Sequence, residues 1–219
     1  MRAQARPPRR KWPWILAGLI LAGLIAAAIY AVATRPTPIE PTPTESASSQ
    51  PEVEPTGCLG GPGRDSAMLI GASQTAPHST AGAVEFAAAW VRWMHQFPNP
   101  SADDARRAQA VFSASNADFD LVGYLATQPN LSGGVVEQSR TFHSSTLPGV
   151  WYVEETAPDK VTVSIGAAFV VDEALSSSLR GSITVTVVWE DGSWRFEGSE
   201  GTRTTEDLFS IGTDFTEGC

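Results

Sequence analysis

The three histidines of this chain are its candidates for acid–base chemistry, and His95 is the strongest of them. His95 follows Val91 by four positions and Trp93 by two, near the end of a segment with helical spacing. An imidazole that faces a cavity can act as an acid or a base near neutral pH. The alternative is a packed, hydrogen-bonded histidine beside tryptophans. His78 and His143 are weaker candidates.

The carboxylates and glycines form no recognisable catalytic motif. Asp118 and Asp120 lie at the start of a predicted short helix, where negative charge stabilises the helix dipole. The sequence contains no G-x-S-x-G, H-E-x-x-H, phosphate-binding loop or paired-carboxylate motif. Two cysteines and three scattered histidines lack the spacing of metal ligands, so we expect neither a metal nor a cofactor. An enzyme is therefore the less favoured interpretation.

Tryptophans form the second group of candidate site residues. The chain has seven in 219 residues, and five of them lie beyond the N-terminal apolar segment. Because each indole buries about 150–250 Å², most should lie in the core or line a cavity. We predict that a cavity of the domain is lined by Trp90, Trp93, His95, Trp151 and Trp189. In the alternative interpretation, one or two of these rings are exposed and anchor a partner.

Cys58 and Cys219 are the only cysteines, and they bracket the C-terminal part of the chain. Compartments outside the cytoplasm favour disulfides, and the two ends of a domain often lie close together. We therefore predict a Cys58–Cys219 disulfide that ties the C-terminal tail to the start of the domain. The apolar residues of this tail are expected to pack on the domain, namely Leu208, Phe209, Ile211 and Phe215.

An uncharged apolar segment at residues 12–33 predicts one transmembrane helix that anchors the protein in a lipid bilayer. As a helix it reaches roughly 33 Å, enough to cross a hydrocarbon core of about 30 Å. Residues 1–11 carry five Arg and Lys and no acid, which predicts a cytoplasmic N-terminus. The alternative is a secretory signal cleaved after Ala33. Both interpretations place residues 36–219 outside the cytoplasm, and the first places them at the cell membrane.

Composition divides the rest of the chain into a stalk and a domain. All 24 Asp and Glu lie beyond the apolar segment, and such an acidic surface opposes binding to nucleic acid. Residues 34–57 are rich in Pro, Thr, Ser and Glu, which predicts an extended stalk. O-glycosylation of this stalk is the alternative to a plain linker. Residues 58–219 form the predicted globular domain, which starts with a Gly-rich segment at 57–71.

The domain is predicted to contain helices first and strands second. Helical spacing of apolar residues predicts a long helix from about 80 to 97, ended by Pro98, and two shorter helices over about 101–113 and 117–127. Strands are expected at 135–136, 141–145, 150–155, 160–171, 181–190 and 193–199. Asp191-Gly192 predicts a tight hairpin between the last two. This order favours an α+β fold, with the helices packed on one face of a curved antiparallel sheet.

Four segments carry a resemblance to known proteins: GAVEFAAAWVRWMHQFP (82–98), PNLSGGVV (129–136), PGVWYVE (148–154) and GSITVTVVWEDGSWRFEGSEGTRTTEDLFSIGTDFTEGC (181–219). Through them the chain resembles an uncharacterised family of actinobacterial membrane-anchored proteins over nearly all of residues 66–219. The order of elements is similar to the nuclear-transport-factor-2-like cone fold, which is related in shape to cystatin. Some conjugation-channel membrane proteins share this arrangement. The resemblance implies a cone fold and carries no activity.

The favoured function is a membrane-anchored extracytoplasmic scaffold or interaction protein with a protein partner at the cell surface. The architecture suggests an accessory component of a conjugation or secretion apparatus. Two alternatives stay open. One is a small-molecule binding domain or isomerase-like enzyme that uses the cavity beside His95, and the other is a cell-wall binding protein.

Overall fold

The computed structural model describes residues 54–201 and 203–219. The predicted membrane helix at 12–33 and nearly all of the predicted stalk lie outside the described residues. Within the described residues, no helix has both the length and the apolar character needed to cross a bilayer.

Five α-helices occur in the described part of the chain, and each begins at a side-chain cap. They are α1 (Ser66–Thr75), α2 (Thr80–Met94), α3 (Ala102–Ala108), α4 (Leu121–Thr127) and α5 (Thr205–Ile211). The residue before each helix accepts a hydrogen bond from a backbone N–H in the first turn, which satisfies a group that the helix itself leaves unpaired. Helix α1 was not predicted, because its small residues and Gly71 suggested an irregular segment.

Within residues 54–201 and 203–219, six strands form one curled antiparallel sheet. They are β1 (Gln96–Phe97), β2 (Phe142–Ala157), β3 (Lys160–Val171), β4 (Ala174–Glu190), β5 (Ser193–Gly198) and β6 (Thr213–Asp214). Strands β1 to β5 are neighbours in chain order, and β6 pairs with β2. The predicted hairpin at Asp191-Gly192 is confirmed, since both residues have positive φ as a type I′ turn requires. The α+β class is confirmed as well.

Several predicted boundaries were wrong. The long helix ends at Met94 rather than near 97, because the residue before Pro98 favours an extended backbone and Phe97 joins β1. The strands predicted at 141–145 and 150–155 are one strand, β2, in which a bulge between Ser145 and Gly149 removes Pro148 from the ladder. The predicted strand at 135–136 is a turn region.

The core lies between α2 and one face of the sheet. On β3 and β4, every second residue points at this helix, including Val163, Ile165 and Val185. The other N-terminal helices contribute to the same core through Leu69, Ala105 and Leu121, whereas helix α5 was not predicted. Helix α5 lies on the opposite face, where Leu208 and Phe209 pack so closely over Gly166 that a Cβ there would clash. Among the tail residues predicted to pack, Leu208 and Phe215 are buried, whereas Ile211 is exposed.

Two charged side chains of α2 hold the segment that leads into the domain. Glu85 accepts backbone N–H bonds from Thr56 (2.5 Å), Gly57 (3.1 Å) and Leu59 (3.4 Å). Two helical turns further on, Arg92 donates to the backbone oxygens of Leu59 (2.6 Å) and Gly61 (2.8 Å). Burial lowers the pKa of Arg92 to about 10, and Glu85 opposes this shift. We call residues 56–61 the leading segment.

The leading segment places Cys58 beside the end of the chain. The predicted Cys58–Cys219 disulfide is confirmed, with a Cα–Cα distance of 5.5 Å. Phe215 is buried directly against Gly57, and Arg64 donates to the main-chain oxygen of Cys219 at 2.7 Å. The C-terminal tail is therefore held by the disulfide, by the packing of the Phe215 ring and by a hydrogen bond.

Asp104 connects three helices through one buried carboxylate. It accepts hydrogen bonds from the backbone N–H of Ser66 (2.9 Å) at the start of α1 and from Trp93 Nε1 (2.8 Å) on α2. Burial opposes the charge, but these bonds and one from Arg107 outweigh it and hold the pKa of Asp104 below its usual value. The carboxylate is therefore a structural group.

The leading segment gives the first prediction. Glu85→Gln removes the negative charge that accepts three backbone N–H groups, so we expect the free energy of unfolding to fall by about 1–3 kcal/mol. Urea unfolding of the full chain measures this change. Glu155→Gln is the matched control, because Glu155 is exposed, and it should stay within about 0.5 kcal/mol. Equal stability of the two variants would contradict the assigned role of Glu85.

Candidate binding cavity

A cavity of about 290 Å³ lies at the C-terminal end of α2 and is partly open to solvent. We call it the inner chamber. Its walls come from α2, from the segment between α3 and β2, and from β4 and β5. Most of the wall is aromatic or aliphatic, with contributions from Trp90, Phe112, Phe119, Tyr124, Ile183 and Phe196. Such concave apolar sites with few polar groups are typical of small-molecule binding.

The aromatic rings of the wall pack on one another from the core to the surface. Trp90 is buried and stacks on Phe196 with a centroid distance of 3.9 Å. Phe112 meets the edge of Trp90 at 5.3 Å and stacks on Phe119 at 5.8 Å. Phe119 is 43 % exposed, so the row of rings reaches solvent. Because the rings support each other, this side of the chamber is preformed.

The position of the chamber follows from where two elements stop. Helix α2 ends at Met94, and β5 ends at Gly198, which pairs with Thr186 in the middle of β4. Beyond that point β4 continues to Ala174 without β5 beside it. Ile183 lies in the part of β4 that β5 does not reach, and it contributes to the chamber wall.

His95 is the C-cap of α2, and its main chain is fixed on both sides. Its N–H donates to the oxygen of Val91 and its oxygen accepts from the N–H of Ser144, both at 2.9 Å. The imidazole lines the chamber, and burial alone lowers its pKa to about 4. It makes no hydrogen bond with the described residues. The ring is therefore neutral at neutral pH and offers one donor and one acceptor to the chamber.

A second cavity of about 490 Å³ adjoins the inner chamber, and we call it the outer chamber. The two chambers share His95, Tyr124, Leu131 and Ile183. His95 therefore lies at their junction. From there the outer chamber extends past Gly181 of β4.

The loop that forms the far wall of the outer chamber is held by its own hydrogen bonds. Ser132 Oγ lies 2.9 Å from Asn130 Oδ1 and accepts from the N–H of Val136 at 3.0 Å. Asn130 Nδ2 donates to the oxygen of Val136 at 3.2 Å. These bonds use the polar groups of Asn130 and Ser132, and they fix the loop without any ligand.

The structure brings together two of the five residues predicted to line one cavity. Trp90 and His95 lie in the wall of the inner chamber. Trp93 is fully buried behind it. Trp151 lies at a separate cavity of about 400 Å³ beside the leading segment, and Trp189 stacks on His78 with a centroid distance of 4.3 Å.

The other sequence candidates have structural roles. His78 lies 2.9 Å from Asp159 and 3.0 Å from the oxygen of Pro158, and His143 pairs with Gln96 across β1 and β2. Asp120 caps α4 by accepting from the N–H of Gly123 at 2.9 Å. Across residues 54–201 and 203–219, no group of three or more His, Cys, Asp or Glu side chains could hold a metal ion.

Most residues of the chamber wall were not predicted from the sequence. Phe112, Phe119 and Tyr124 fall within the two predicted shorter helices and Leu131 follows them, but helical spacing does not indicate which side chains of different segments meet. Ile183 and Phe196 were visible only as members of alternating strands. A local signal did exist at the end of α2, since a histidine follows two tryptophans there.

The lowered pKa of His95 gives the second prediction. Unfolded His95 binds a proton below its ordinary pKa of 6.5, whereas folded His95 binds it only near pH 4. The free energy of unfolding should therefore fall as pH decreases from 6.5 towards 4. His95→Gln should lose this part of the pH dependence, which urea unfolding at pH 7 and pH ~4.5 measures. An unchanged difference between the two pH values in the variant would contradict the neutral state of His95.

Comparison with known proteins gives no relative for this site. No protein-family model matches the chain, and neither a curated protein nor a solved structure does.

Proposed function

We propose that this protein is a membrane-anchored extracytoplasmic binding protein whose inner chamber takes a small apolar ligand. One observation carries the proposal: a preformed, partly open aromatic chamber contains an imidazole that has no hydrogen-bond partner among the described residues. The imidazole is half-buried, so a molecule that enters the chamber can reach its ring nitrogens and form hydrogen bonds with them.

Binding is better supported than acid–base catalysis. General acid–base catalysis works best when the pKa of the group lies near the operating pH, and burial lowers the pKa of His95 to about 4. Among the described residues, Glu197 is the only carboxylate residue that lines the inner chamber, and its carboxylate pairs with Lys160. A carboxylate that orients His95 is thus missing from the described wall, and we do not propose the isomerase-like alternative.

The proposal also includes a location outside the cytoplasm and a cone fold. The disulfide supports a compartment outside the cytoplasm, since such bonds persist in oxidising surroundings. Residues 12–33 would anchor the domain in the bilayer, with residues 36–219 on the outer side. A long helix packed on a curled antiparallel sheet, with a cavity at the end of that helix, supports a nuclear-transport-factor-2-like cone fold.

The third prediction concerns the binding of a small aromatic molecule in the inner chamber. Full-length protein in lipid nanodiscs, labelled with 5-fluorotryptophan, is titrated with 4-methylphenol and followed by fluorine NMR. The resonance of Trp90 should shift with saturation, while that of Trp194, which lies outside the chamber, should not. Ile183→Phe adds bulk to the chamber wall and should weaken binding at least about tenfold, which corresponds to about 1.4 kcal/mol.

Two controls keep this titration specific. Leu175→Phe makes a similar change on the same strand at an exposed position outside both chambers, and it should bind like the wild type. Empty nanodiscs give the partition of the probe into lipid. Equal affinity of the Ile183→Phe and wild-type proteins would contradict the inner chamber as the binding site.

A protein partner at the cell surface is a second candidate, and the rim of the chambers favours it. Phe119, Tyr124 and Val135 are 43 %, 39 % and 37 % exposed around the openings. Clustered exposed apolar side chains commonly mark interaction sites. A partner could insert one apolar side chain into the inner chamber, as expected for an accessory component of a conjugation or secretion apparatus.

Cross-linking in intact membranes provides the fourth prediction. Phe119→Ser should remove or weaken a specific cross-linked species, because it deletes the most exposed aromatic ring of the rim. Leu175→Ser, an equally polar change away from the rim, should leave that species in place. The same species at the same yield in both variants would contradict a partner at the rim.

A further inference from the structure

We infer that the ligand of the two chambers is an uncharged molecule that places an apolar group in the inner chamber and a hydroxyl or amide group at His95. This inference rests on the proposed function and names the chemical class of the ligand. It follows from three features of the described walls: their ionised groups, their aromatic faces and their free polar groups.

The described chamber walls contain no unpaired charged side chain that could balance the charge of a ligand. The described residues that line the two chambers include no Lys, Arg or Asp. The single Glu, Glu197, is already paired with Lys160. His95 is neutral at pH 7 because its surroundings disfavour the imidazolium form. An ion that entered would lose part of its hydration without gaining a counter-charge, which weakens its binding.

The aromatic wall does not replace a counter-charge for a cation. A cation is attracted to the open face of an aromatic ring. Here stacking covers one face of four of the rings, since Trp90 stacks on Phe196 and Phe112 stacks on Phe119, which leaves less open ring surface for a cation. An anion meets a further barrier, because the chain beyond the apolar segment carries all 24 acidic residues and repels negative charge at a distance.

The free polar groups of the wall define where the ligand is polar. Among the described residues, the ring of His95 and the hydroxyl of Tyr124 make no hydrogen bond, and both line the two chambers. Asn130 and Ser132 are already engaged within their loop. Hydrogen bonding is thus available at the junction of the chambers and at the hydroxyl of Ser199, while the rest of the inner chamber of about 290 Å³ offers mainly apolar contacts.

Three probes of similar size and different charge test this inference. Benzyl alcohol, benzoate and benzylammonium are titrated at pH 7 into full-length protein in nanodiscs, with the fluorine resonance of Trp90 as the readout. Benzyl alcohol should shift this resonance with saturation. Both ions should bind at least about tenfold more weakly, because each would be buried without a counter-charge.

A variant with an added cation provides the second arm. Tyr124→Lys places a positive charge on the wall at a residue that is 39 % exposed, so the fold should tolerate it. It should raise the affinity for benzoate relative to benzyl alcohol at least about tenfold. Leu175→Lys adds the same charge outside both chambers and should leave the preference of the wild type unchanged.

The possible outcomes show whether the inference or the proposed function is contradicted. If benzoate or benzylammonium binds the wild type as tightly as benzyl alcohol, the inference is wrong and the proposed function stands. If the preference for benzyl alcohol persists in Tyr124→Lys, charge is not its cause and the inference fails. If no probe shifts the resonance of Trp90, the proposed function itself is contradicted.

Discussion

A buried arginine on the central helix fixes the arrangement of the whole domain. Arg92 is completely buried, and its oxygen partners are the backbone oxygens of Leu59 and Gly61. A buried cation that loses its partners destabilises a protein by several kcal/mol, so the leading segment cannot move away from α2. That constraint places Cys58 where Cys219 can reach it, and the disulfide then closes the C-terminal tail around the sheet.

The same helix also builds the candidate site, so stability and binding share one element. One turn of α2 carries Trp90, which forms the chamber wall, and Trp93, which donates to the buried carboxylate of Asp104 at 2.8 Å. The helix stops at Met94, and this stop turns His95 towards the chambers instead of into another helical turn. A shift of α2 along its axis would therefore disturb the core and the chambers together.

Local signals in the sequence predicted the elements well, and they predicted the site poorly. The Asp191-Gly192 turn depends on a few neighbouring residues, which is why its prediction was correct. Glu85 and Arg92 lie seven positions apart on an otherwise apolar helix, and this spacing could have predicted that both face the same segment. The chambers are formed by residues that come together only after folding. The residue type of Trp151 and Trp189 indicates that both rings are packed, but it does not indicate which part of the domain they pack against.

The central claim is that the inner chamber is an apolar site that accepts an uncharged group. The most direct measurement is a crystal structure of the protein under xenon pressure, because xenon is uncharged and enters apolar cavities without needing hydrogen bonds. A xenon atom in contact with Trp90 and Ile183 is the predicted result. Xenon bound only elsewhere, with ordered water filling the inner chamber, would contradict the claim.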